Sequence, residues 1–559
     1  MSRFHAAALA CLATHVAMAA DDGAAVLPSV ASRHVAEPDI RSPGVPSDEE
    51  LERTGALIGE VLIDVRNIFD TERPEENTAL FRLGNRLHIR SRELTIAQQL
   101  LFRQGDRYAH RLLEESERIL RSRRYLYDAR IRPVAYRDGR VDIAVRTQDV
   151  WTLNPGFSFG RRGGKNTSGF ELEELNLLGS GTELSVGYKS DIDRNSTALV
   201  YRNRQLLGTW WGISAVASEN SDGQSREFMV GHPFFALDSR WAAGLKLANN
   251  ARIDSFYDLG QIVAQVEAQE KHATLFAGWS AGMRADWVRR WTSGVTYSNT
   301  HFDRLPAASP TSFLPPDRKL VYPWIELELI QDEFHFTRNR DQIEKTEDFA
   351  LGWHARVRLG WALPSLGSDR NALIFESLLS RGYDLRPEQT LLFETGLIGR
   401  VEHGAFADTI ASAAARYYVR QSPRRLFFTA LQGERSHHLD ADRQLLLGGD
   451  NGLRGYPLRY QGGEGRWLFT AEQRWFTDWY PFRLIHVGGA MFYDMGRTRG
   501  DNPLGTPSQG LLRDIGVGLR LGSSRSAVGN VLHVDVAFPL DGDRSIRHLQ
   551  LLIEAKQRF

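Results

Sequence analysis

The sequence predicts a mainly β protein: a transmembrane antiparallel β-barrel of about sixteen strands, preceded by a small α+β domain. From Trp151 onward, apolar and polar residues alternate in segments of about 8–12 residues, separated by turns rich in Gly, Asp, Asn and Pro. Helical periodicity is confined to the chain before Trp151. Residues 151–559 exceed the ~200–250 residues of an ordinary all-β domain. A closed barrel accommodates this length, because closure pairs every strand edge within lipid.

The composition limits the functions that the chain can have. The 559 residues include 69 basic and 69 acidic side chains, so net charge offers no electrostatic argument for nucleic-acid binding. The mean hydropathy is −0.36, and no apolar run reaches the ~18 residues of a membrane-spanning helix. We therefore expect neither a helical membrane protein nor a nucleic-acid partner.

Residues 1–20 are typical of a secretory signal peptide. Arg3 supplies the positive start, an Ala/Leu-rich run follows, and Ala17 and Ala19 are the small residues that cleavage requires. Cys11, the only cysteine, would leave with this peptide, and the alternative that it is a lipidation site stays open. Residues 21–50 lack periodicity and are expected to form a flexible segment entering the periplasm.

Residues 51–150 are expected to form the small domain, with the element order β-α-α-β-β. The segment from Ile58 to Phe69 is predicted to be a strand, and Thr95 to Phe102 a short helix. A second helix is expected from about Arg107. Two strands, Tyr125 to Tyr136 and Val141 to Val145, complete the domain.

The polar faces of the later strands favour a barrel over the alternative, a large soluble β protein. In two of the clearest segments, Ile515, Val517, Leu519, Val534 and Val536 lie on the apolar side, opposite Asp514, Arg520, His533 and Asp535. Charged residues on the other face fit a polar lumen. Trp210-Trp211 and Trp479-Tyr480 lie near segment ends, as expected for aromatic girdles at the membrane interfaces.

A glycine-dense turn, Leu447 to Pro457, contains one arginine, Arg454. Such an arginine is either a solvated loop charge or an anchor in a charged interior. Alternation places Glu472 and Asp494 inward on neighbouring strands, near where this loop could fold back. Pairing with a guanidinium is the natural way to hold such a loop.

Several motifs carry a resemblance to a known family. The loop sequence Leu453-Arg454-Gly455-Tyr456 resembles the Val/Ile-Arg-Gly-Phe/Tyr motif of BamA/TamA-like outer-membrane assembly and translocation barrels (bacterial surface antigen type). The segment Phe492-Tyr493-Asp494-Met495-Gly496 is similar to the family's Phe-x-Asp-x-Gly strand motif, and Glu472 matches its acidic position between the two. Phe559 resembles the family's C-terminal sorting signal, and the small domain resembles a single POTRA domain.

The resemblance implies an outer-membrane protein that inserts or translocates polypeptides, with its POTRA-like domain in the periplasm. It implies that Arg454 pairs with Asp494, and also with Glu472, inside the lumen. Expected partners are the lipid bilayer, unfolded or secreted polypeptide clients, and periplasmic or outer-membrane accessory proteins. No catalytic residue, cofactor or metal is expected. A weak seam is expected between the first strand, near 153–160, and the last, near 549–559.

Two other functions stay open. One is a passive pore or structural barrel whose loop merely plugs the lumen. The other is a two-partner-secretion-like exporter, whose architecture this one resembles. Such exporters typically have two POTRA domains and a plug helix, whereas only one such domain is visible in this sequence. Gly156-Phe157-Ser158-Phe159-Gly160 matches the G-x-S-x-G of serine hydrolases, but that elbow requires a following helix, and the sequence predicts a turn instead.

Overall fold

The computed structural model describes residues 42, 44–305, 313–502, 504–523, 525 and 531–556. The predicted signal peptide, most of the predicted flexible segment and Phe559 lie outside the described residues. Within them, a three-stranded sheet with helices is followed by a closed antiparallel barrel of 20 strands. The predicted fold class, a mainly β chain with a closed antiparallel barrel, is confirmed.

The N-terminal domain is an α+β unit whose sheet has the order β1-β3-β2. Strand β1 runs parallel to β3, and β2 runs antiparallel to it. Its core forms where inward-facing strand residues such as Ile58, Val141 and Ile143 pack beneath the helices. The elements are α1 (Asp48–Thr54), β1 (Leu57–Arg66), a 3₁₀ turn (Pro74–Glu76), α2 (Ala79–Leu87), α3 (Glu93–Ala97), α4 (His110–Arg121), β2 (Leu126–Arg137) and β3 (Arg140–Asp149).

The predicted β-α-α-β-β order is wrong in its helices, since three lie between β1 and β2 in the structure. The missing helix is α2, which Thr78 caps by accepting a hydrogen bond from the backbone of Phe81. Phe81 is the one residue of α2 that is fully buried. Because its leucines face away from the core, α2 lacks the inward periodicity that marks a helix in sequence.

The remaining strands follow one another from residue 153 to residue 556. They are β4 (Leu153–Arg162), β5 (Lys165–Glu174), β6 (Glu183–Ser190), β7 (Asn195–Asn203), β8 (Gly212–Asn220), β9 (Gly223–His232), β10 (Trp241–Asp258), β11 (Gln261–Arg284), β12 (Trp287–Arg304), β13 (Arg318–Gln331), β14 (Phe334–Arg338), β15 (Thr346–Ala350), β16 (His354–Ala362), β17 (Ala372–Arg386), β18 (Gln389–Glu402), β19 (Ala405–Ser422), β20 (Arg425–His437), β21 (Leu445–Leu447), β22 (Gln461–Gly463), β23 (Gly465–Phe476), β24 (His486–Arg499), β25 (Leu512–Gly522), β26 (Val531–Pro539) and β27 (Gln550–Lys556). Short 3₁₀ turns lie at Leu177–Gly179, Leu206–Gly208, Pro364–Leu366 and Pro481–Arg483.

The expected count of about sixteen barrel strands is wrong, since the described residues form 20. The expectation assumed generous loops, whereas many connections are tight. Only Gly163-Gly164 separates β4 from β5, and only Leu259-Gly260 separates β10 from β11. The pairs β14–β15 and β21–β22 form two small sheets of their own, which are not part of the barrel wall.

The two ends of the barrel differ in what covers them. We call the end where β4 leaves the N-terminal domain the near end, and the opposite one the far end. Near-end turns contact the domain: Thr95 Oγ1 donates a 2.8 Å hydrogen bond to the carbonyl of Gly179. Arg525, between β25 and β26, donates a 2.6 Å hydrogen bond to the carbonyl of Ile68 and forms an ion pair with Glu76.

The barrel wall is apolar outside and charged inside. On β25, Ile515, Val517 and Leu519 are exposed on the outer face, whereas Asp514 and Arg520 are fully buried on the inner face. An apolar outer face with a charged inner face is typical of a barrel with a polar lumen, and it follows from the alternation of side chains along each strand. Other exposed outward residues include Leu199, Leu275, Trp279, Val295, Ile325, Val357, Leu397, Leu431 and Met491.

The barrel closes by a short ladder between its last and first strands. Strand β27 pairs with β4 at a single register pair, Ile553 with Arg161, whereas β26 and β27 share seven register pairs. An ion pair between Arg162 and Glu554 also crosses this seam. Among the described residues, no other neighbouring pair of barrel strands has so short a ladder. The weakness of the seam expected there stays a prediction.

Candidate functional site

The connection between β20 and β23 enters the barrel from the far end. We call residues 438–464 the inner loop. Its base is the short β21–β22 pair, and its glycine-dense turn lies inside the wall. Gly452 adopts a φ of 121°, a conformation open to glycine, and a side chain there would collide with Leu468 on β23. The glycines therefore let the backbone of the loop lie directly against the barrel wall.

Arg454, at the tip of the inner loop, is buried among carboxylates of the wall. Its Nε and Nη2 donate hydrogen bonds of 2.7 and 3.0 Å to the two oxygens of Asp494, on β24. Its Nη1 donates a 2.9 Å hydrogen bond to Glu472, on the neighbouring strand β23. The guanidinium also lies 3.3 Å above the ring centroid of Phe492. The structure thus brings together four of the residues that the motifs singled out.

Glu472 links Arg454 to two further arginines. Arg474 Nε lies 2.9 Å from its Oε1, and Arg520 Nη2 lies 3.4 Å from its Oε2. Arg520 also pairs with Asp535 on β26. Because each guanidinium meets at least one carboxylate, the buried charges compensate one another in a region shielded from water. Arg520 and Asp535 lie on the polar faces that alternation predicts, but their place in this network was not predicted.

The other motif residues hold the loop tip in place. Leu453 is fully buried against Leu447 and Leu468. The backbone of Gly455 passes so close to β25 that an added Cβ would lie 2.6 Å from Cβ of Asp514. Gly455 is thus the residue that allows Arg454 to reach its carboxylates.

Tyr456 and Gly496 secure the two sides of the loop. The hydroxyl of Tyr456 donates a 2.8 Å hydrogen bond to the carbonyl of Arg513, on β25. The same hydroxyl accepts a 3.3 Å hydrogen bond from the backbone N–H of Asp541, in the turn after β26, and so links the two elements. Gly496, on β24, leaves space for the loop base: a Cβ there would lie 3.1 Å from the side chain of Leu447. Both positions therefore fit close packing of the loop against the wall.

The inner loop also reaches the seam. Leu458 packs so closely on the β4–β5 turn that a Cβ at Gly163 would lie 2.5 Å from its backbone nitrogen. Arg162, the last residue of β4, donates a 3.2 Å hydrogen bond to the carbonyl of Asp450 and pairs with Glu554 on β27. One arginine therefore joins the first strand, the last strand and the inner loop.

A second segment enters the lumen from the near end. We call residues 332–353, with strands β14 and β15, the near-end hairpin. Tyr127 of the domain donates a 2.7 Å hydrogen bond to the carbonyl of Glu344, and Arg121 pairs with Asp348 at 2.9 Å. At the hairpin tip, Arg340 donates a 2.8 Å hydrogen bond to Thr390 on β18. The hairpin thus bridges the domain and the inside of the barrel wall.

The two inserted segments meet at Arg474. Its Nη1 donates hydrogen bonds of 2.7 Å to the carbonyl of Arg340 and 3.2 Å to Asp341, both in the near-end hairpin. Its Nε holds Glu472, which holds Arg454 of the inner loop. A continuous buried chain of charges therefore connects the near-end hairpin to the inner loop. The near-end hairpin was not predicted, since its two short strands resemble any other alternating segment.

The carboxyl group of Asp332, at the base of the near-end hairpin, is buried in surroundings that disfavour its charged form. Asp332 is buried between the barrel end and helix α4, where burial raises its pKa to about 8, although Arg118 opposes the shift. Its two carboxyl oxygens lack a hydrogen-bond partner within the described part of the chain.

Within the described residues, no group of three or more His, Cys, Asp or Glu side chains is arranged to hold a metal ion. None of the helices in these ranges is long and apolar enough to cross a membrane.

Comparisons with known proteins find structural likeness only. No family model and no curated protein matches the chain. Among solved structures, BamA from Haemophilus ducreyi lacking POTRA domains 1–3 is 12% identical, with a TM-score of 0.39 over 89% of this chain and 83% of that one. CdiB from Acinetobacter baumannii is 12% identical, with a TM-score of 0.46 over 89% of this chain and 74% of that one. CdiB from Escherichia coli is 13% identical, with a TM-score of 0.44 over 89% and 76%. These similarities are too distant to assign a residue role or an activity.

Proposed function

We propose that this chain is a β-barrel of the bacterial outer membrane that inserts or translocates polypeptides, with its N-terminal domain acting in the periplasm as a POTRA-like docking site. The apolar outer face of the barrel and its charged lumen support the membrane placement. The observation that carries the function is the buried pairing of Arg454 with Glu472 and Asp494. The motif resemblance implies this same pairing in assembly and translocation barrels.

The seam supports handling of polypeptides by strand pairing. Within the described residues a single register pair joins β27 to β4, so this junction offers strand edges at which another strand can pair. An incoming client segment can extend such an edge through main-chain hydrogen bonds, which tolerate many sequences. Strand β1 lies at the margin of its sheet and offers a second edge beyond Ile58, since its start is already paired with residues 105–108. The proposal requires no catalytic residue, cofactor or metal.

A locked seam tests the insertase function. Arg161→Cys with Ile553→Cys places a disulfide across the seam, at its one register pair. Val534→Cys with Ile553→Cys is the matched control, because it locks the neighbouring β26–β27 ladder. The assay is folding of client barrels into liposomes that contain each variant.

We expect the seam lock to abolish acceleration of client folding, with recovery on reduction, and the control lock to leave it unchanged. Equal activity of both locked variants would overturn insertion through the seam. If the unmodified protein fails to accelerate several clients, the insertase function is wrong.

The near-end hairpin favours a second candidate, an exporter that passes polypeptide through the lumen. A segment that occupies the lumen at the domain end is suited to moving aside for cargo. Conductance in planar bilayers separates this from a passive pore: large, steady open channels in the unmodified protein would favour the pore. Brief openings that increase when residues 334–350 are deleted would favour the exporter.

A further inference from the structure

One side of helix α2 exposes a row of leucines. The helix buries Phe81 against Phe69, with stacked rings whose centroids are 4.2 Å apart. On the opposite side, Leu80, Leu83 and Leu87 are 66%, 50% and 63% exposed. Their spacing of three and four residues places them on one face of the helix. Helix α2 thus faces the core with one aromatic ring and faces outward with its leucines.

The same surface is strongly basic. Four exposed arginines, Arg82, Arg86, Arg90 and Arg92, accompany the leucines, and no acidic residue occurs from 77 to 92. Ile89 and Leu94, just beyond the helix, are also exposed. We call the exposed surface of residues 80–94, which includes the single acid Glu93, the α2 face. A surface of leucines interleaved with arginines is typical of segments that lie in a membrane interface.

The α2 face adjoins the near end of the barrel. The backbone N–H of Arg92 donates a 3.0 Å hydrogen bond to the carbonyl of Gly179, in the turn between β5 and β6. The preceding residue of that turn, Leu178, is exposed, as are Leu207 and Phe482 in two other near-end turns. All three adopt a positive φ, which turns an apolar side chain outward from the end of the wall. Apolar surface therefore continues from the barrel end toward the α2 face.

We propose that the α2 face binds the anionic phospholipid surface of the membrane leaflet nearest the N-terminal domain. The inference rests on the membrane placement proposed above. Guanidinium groups match phosphate through paired hydrogen bonds, and each basic residue near an anionic surface adds attraction. The leucines gain by leaving water for the boundary of the acyl chains. An excess of positive charge, four arginines against the single acid Glu93, together with continuity with the barrel end, favours lipid over a polypeptide client or a second copy.

The experiment places one environment-sensitive fluorophore at a time on the full-length chain carrying Cys11→Ala, in vesicles of phosphatidylcholine and phosphatidylglycerol. Leu83→Cys reports the α2 face. Leu62→Cys is the matched control, an exposed leucine on β1 of the same domain, and Leu275→Cys reports the outer face of the barrel. Brominated phospholipid quenches a label in contact with lipid, and iodide quenches a label in water.

We expect brominated lipid, and not iodide, to quench the Leu83→Cys label, with the reverse at Leu62→Cys. Omitting phosphatidylglycerol, or adding Arg86→Gln and Arg90→Gln, should make the Leu83→Cys label accessible to quenching by iodide. Quenching of that label by iodide as strong as at Leu62→Cys would overturn the inference. So would protection that arises only with added unfolded polypeptide, or that grows with the number of protein copies per vesicle. If the Leu275→Cys label also lacks contact with lipid, the membrane placement itself fails, so the two failures are distinguishable.

Discussion

The inner loop and the near-end hairpin both enter the lumen, yet the barrel holds them differently. The inner loop is fixed by a buried guanidinium that meets carboxylates from two neighbouring strands. The near-end hairpin shares its contacts between the wall, through Asp341 and Arg474, and the domain, through the partly exposed pair of Asp348 and Arg121. Breaking a fully buried, multiply bonded charge costs more than breaking a pair that water still reaches. The near-end hairpin is therefore the segment expected to move first.

The largest effect is expected from Arg454→Ala. Removing the guanidinium leaves Asp494 buried without its arginine and takes one of three arginine partners from Glu472, a cost of about 3–5 kcal/mol. We expect the barrel to remain folded, judged by its heat-dependent mobility on gels, while the inner loop becomes protease-sensitive and client folding fails. Arg497→Ala, an exposed arginine on the same strand as Asp494, is the control and should change neither.

Asp494→Ala should have the same effects as Arg454→Ala. If the pair acts as a unit, the double variant is no worse than either single variant. Losses that simply add would contradict the pairing as the source of the effect.

Asp341→Asn and Arg474→Ala should separate the two segments. Asp341→Asn weakens only the hold of the wall on the near-end hairpin, by about 1–3 kcal/mol. Arg474→Ala also removes a partner of Glu472, and so should loosen the inner loop as well. The measurement combines bilayer conductance with protease sensitivity: Asp341→Asn should raise channel openings while the inner loop stays protected. Equal exposure of the inner loop in both variants would show that the two segments move as one.

A pH dependence should arise at the base of the near-end hairpin. Burial raises the pKa of Asp332 from its ordinary value of 3.8 to about 8, so between these values the folded state holds a proton that the unfolded state lacks. The stability of this junction should therefore fall as the pH rises from about 4 to about 8. Below both pKa values, Asp332 should cause no change of stability with pH. Asp332→Asn should remove that slope and gain about 1–3 kcal/mol at pH 8. Hydrogen exchange of residues 334–350, followed as a function of pH, measures this stability. If Asp332→Asn left the pH dependence unchanged, Asp332 would not be its source.

The smallest effect is expected at the outer edge of the near-end hairpin. Asp348→Asn breaks the pair with Arg121, which is partly exposed, so the loss should be at most about 1 kcal/mol. Hydrogen exchange in β14 and β15 should quicken slightly, without a change in the inner loop. A loss as large as that of Arg454→Ala would remove the contrast between the two segments.

Much of the candidate site was predictable from local patterns. Glu472 and Asp494 occupy inward positions because side chains alternate along a strand, and that parity is readable from the residues on either side. The place of Arg454 between them followed from the glycine-rich loop and the motif resemblance. Asp341 was not predictable as a partner of Arg474, because 133 residues separate them and no periodicity marks a hairpin that folds into a lumen.

By itself, the sequence determined which face of each strand is apolar, and hence a barrel with a charged interior. It also determined the glycines that let a loop lie against the wall. Only the tertiary structure decided the number of strands, the single register pair at the seam, the near-end hairpin and the outward leucines of α2. The physical reason is range: alternation and turn chemistry act between neighbours along the chain, whereas closure, register and insertion depend on contacts between residues hundreds of positions apart.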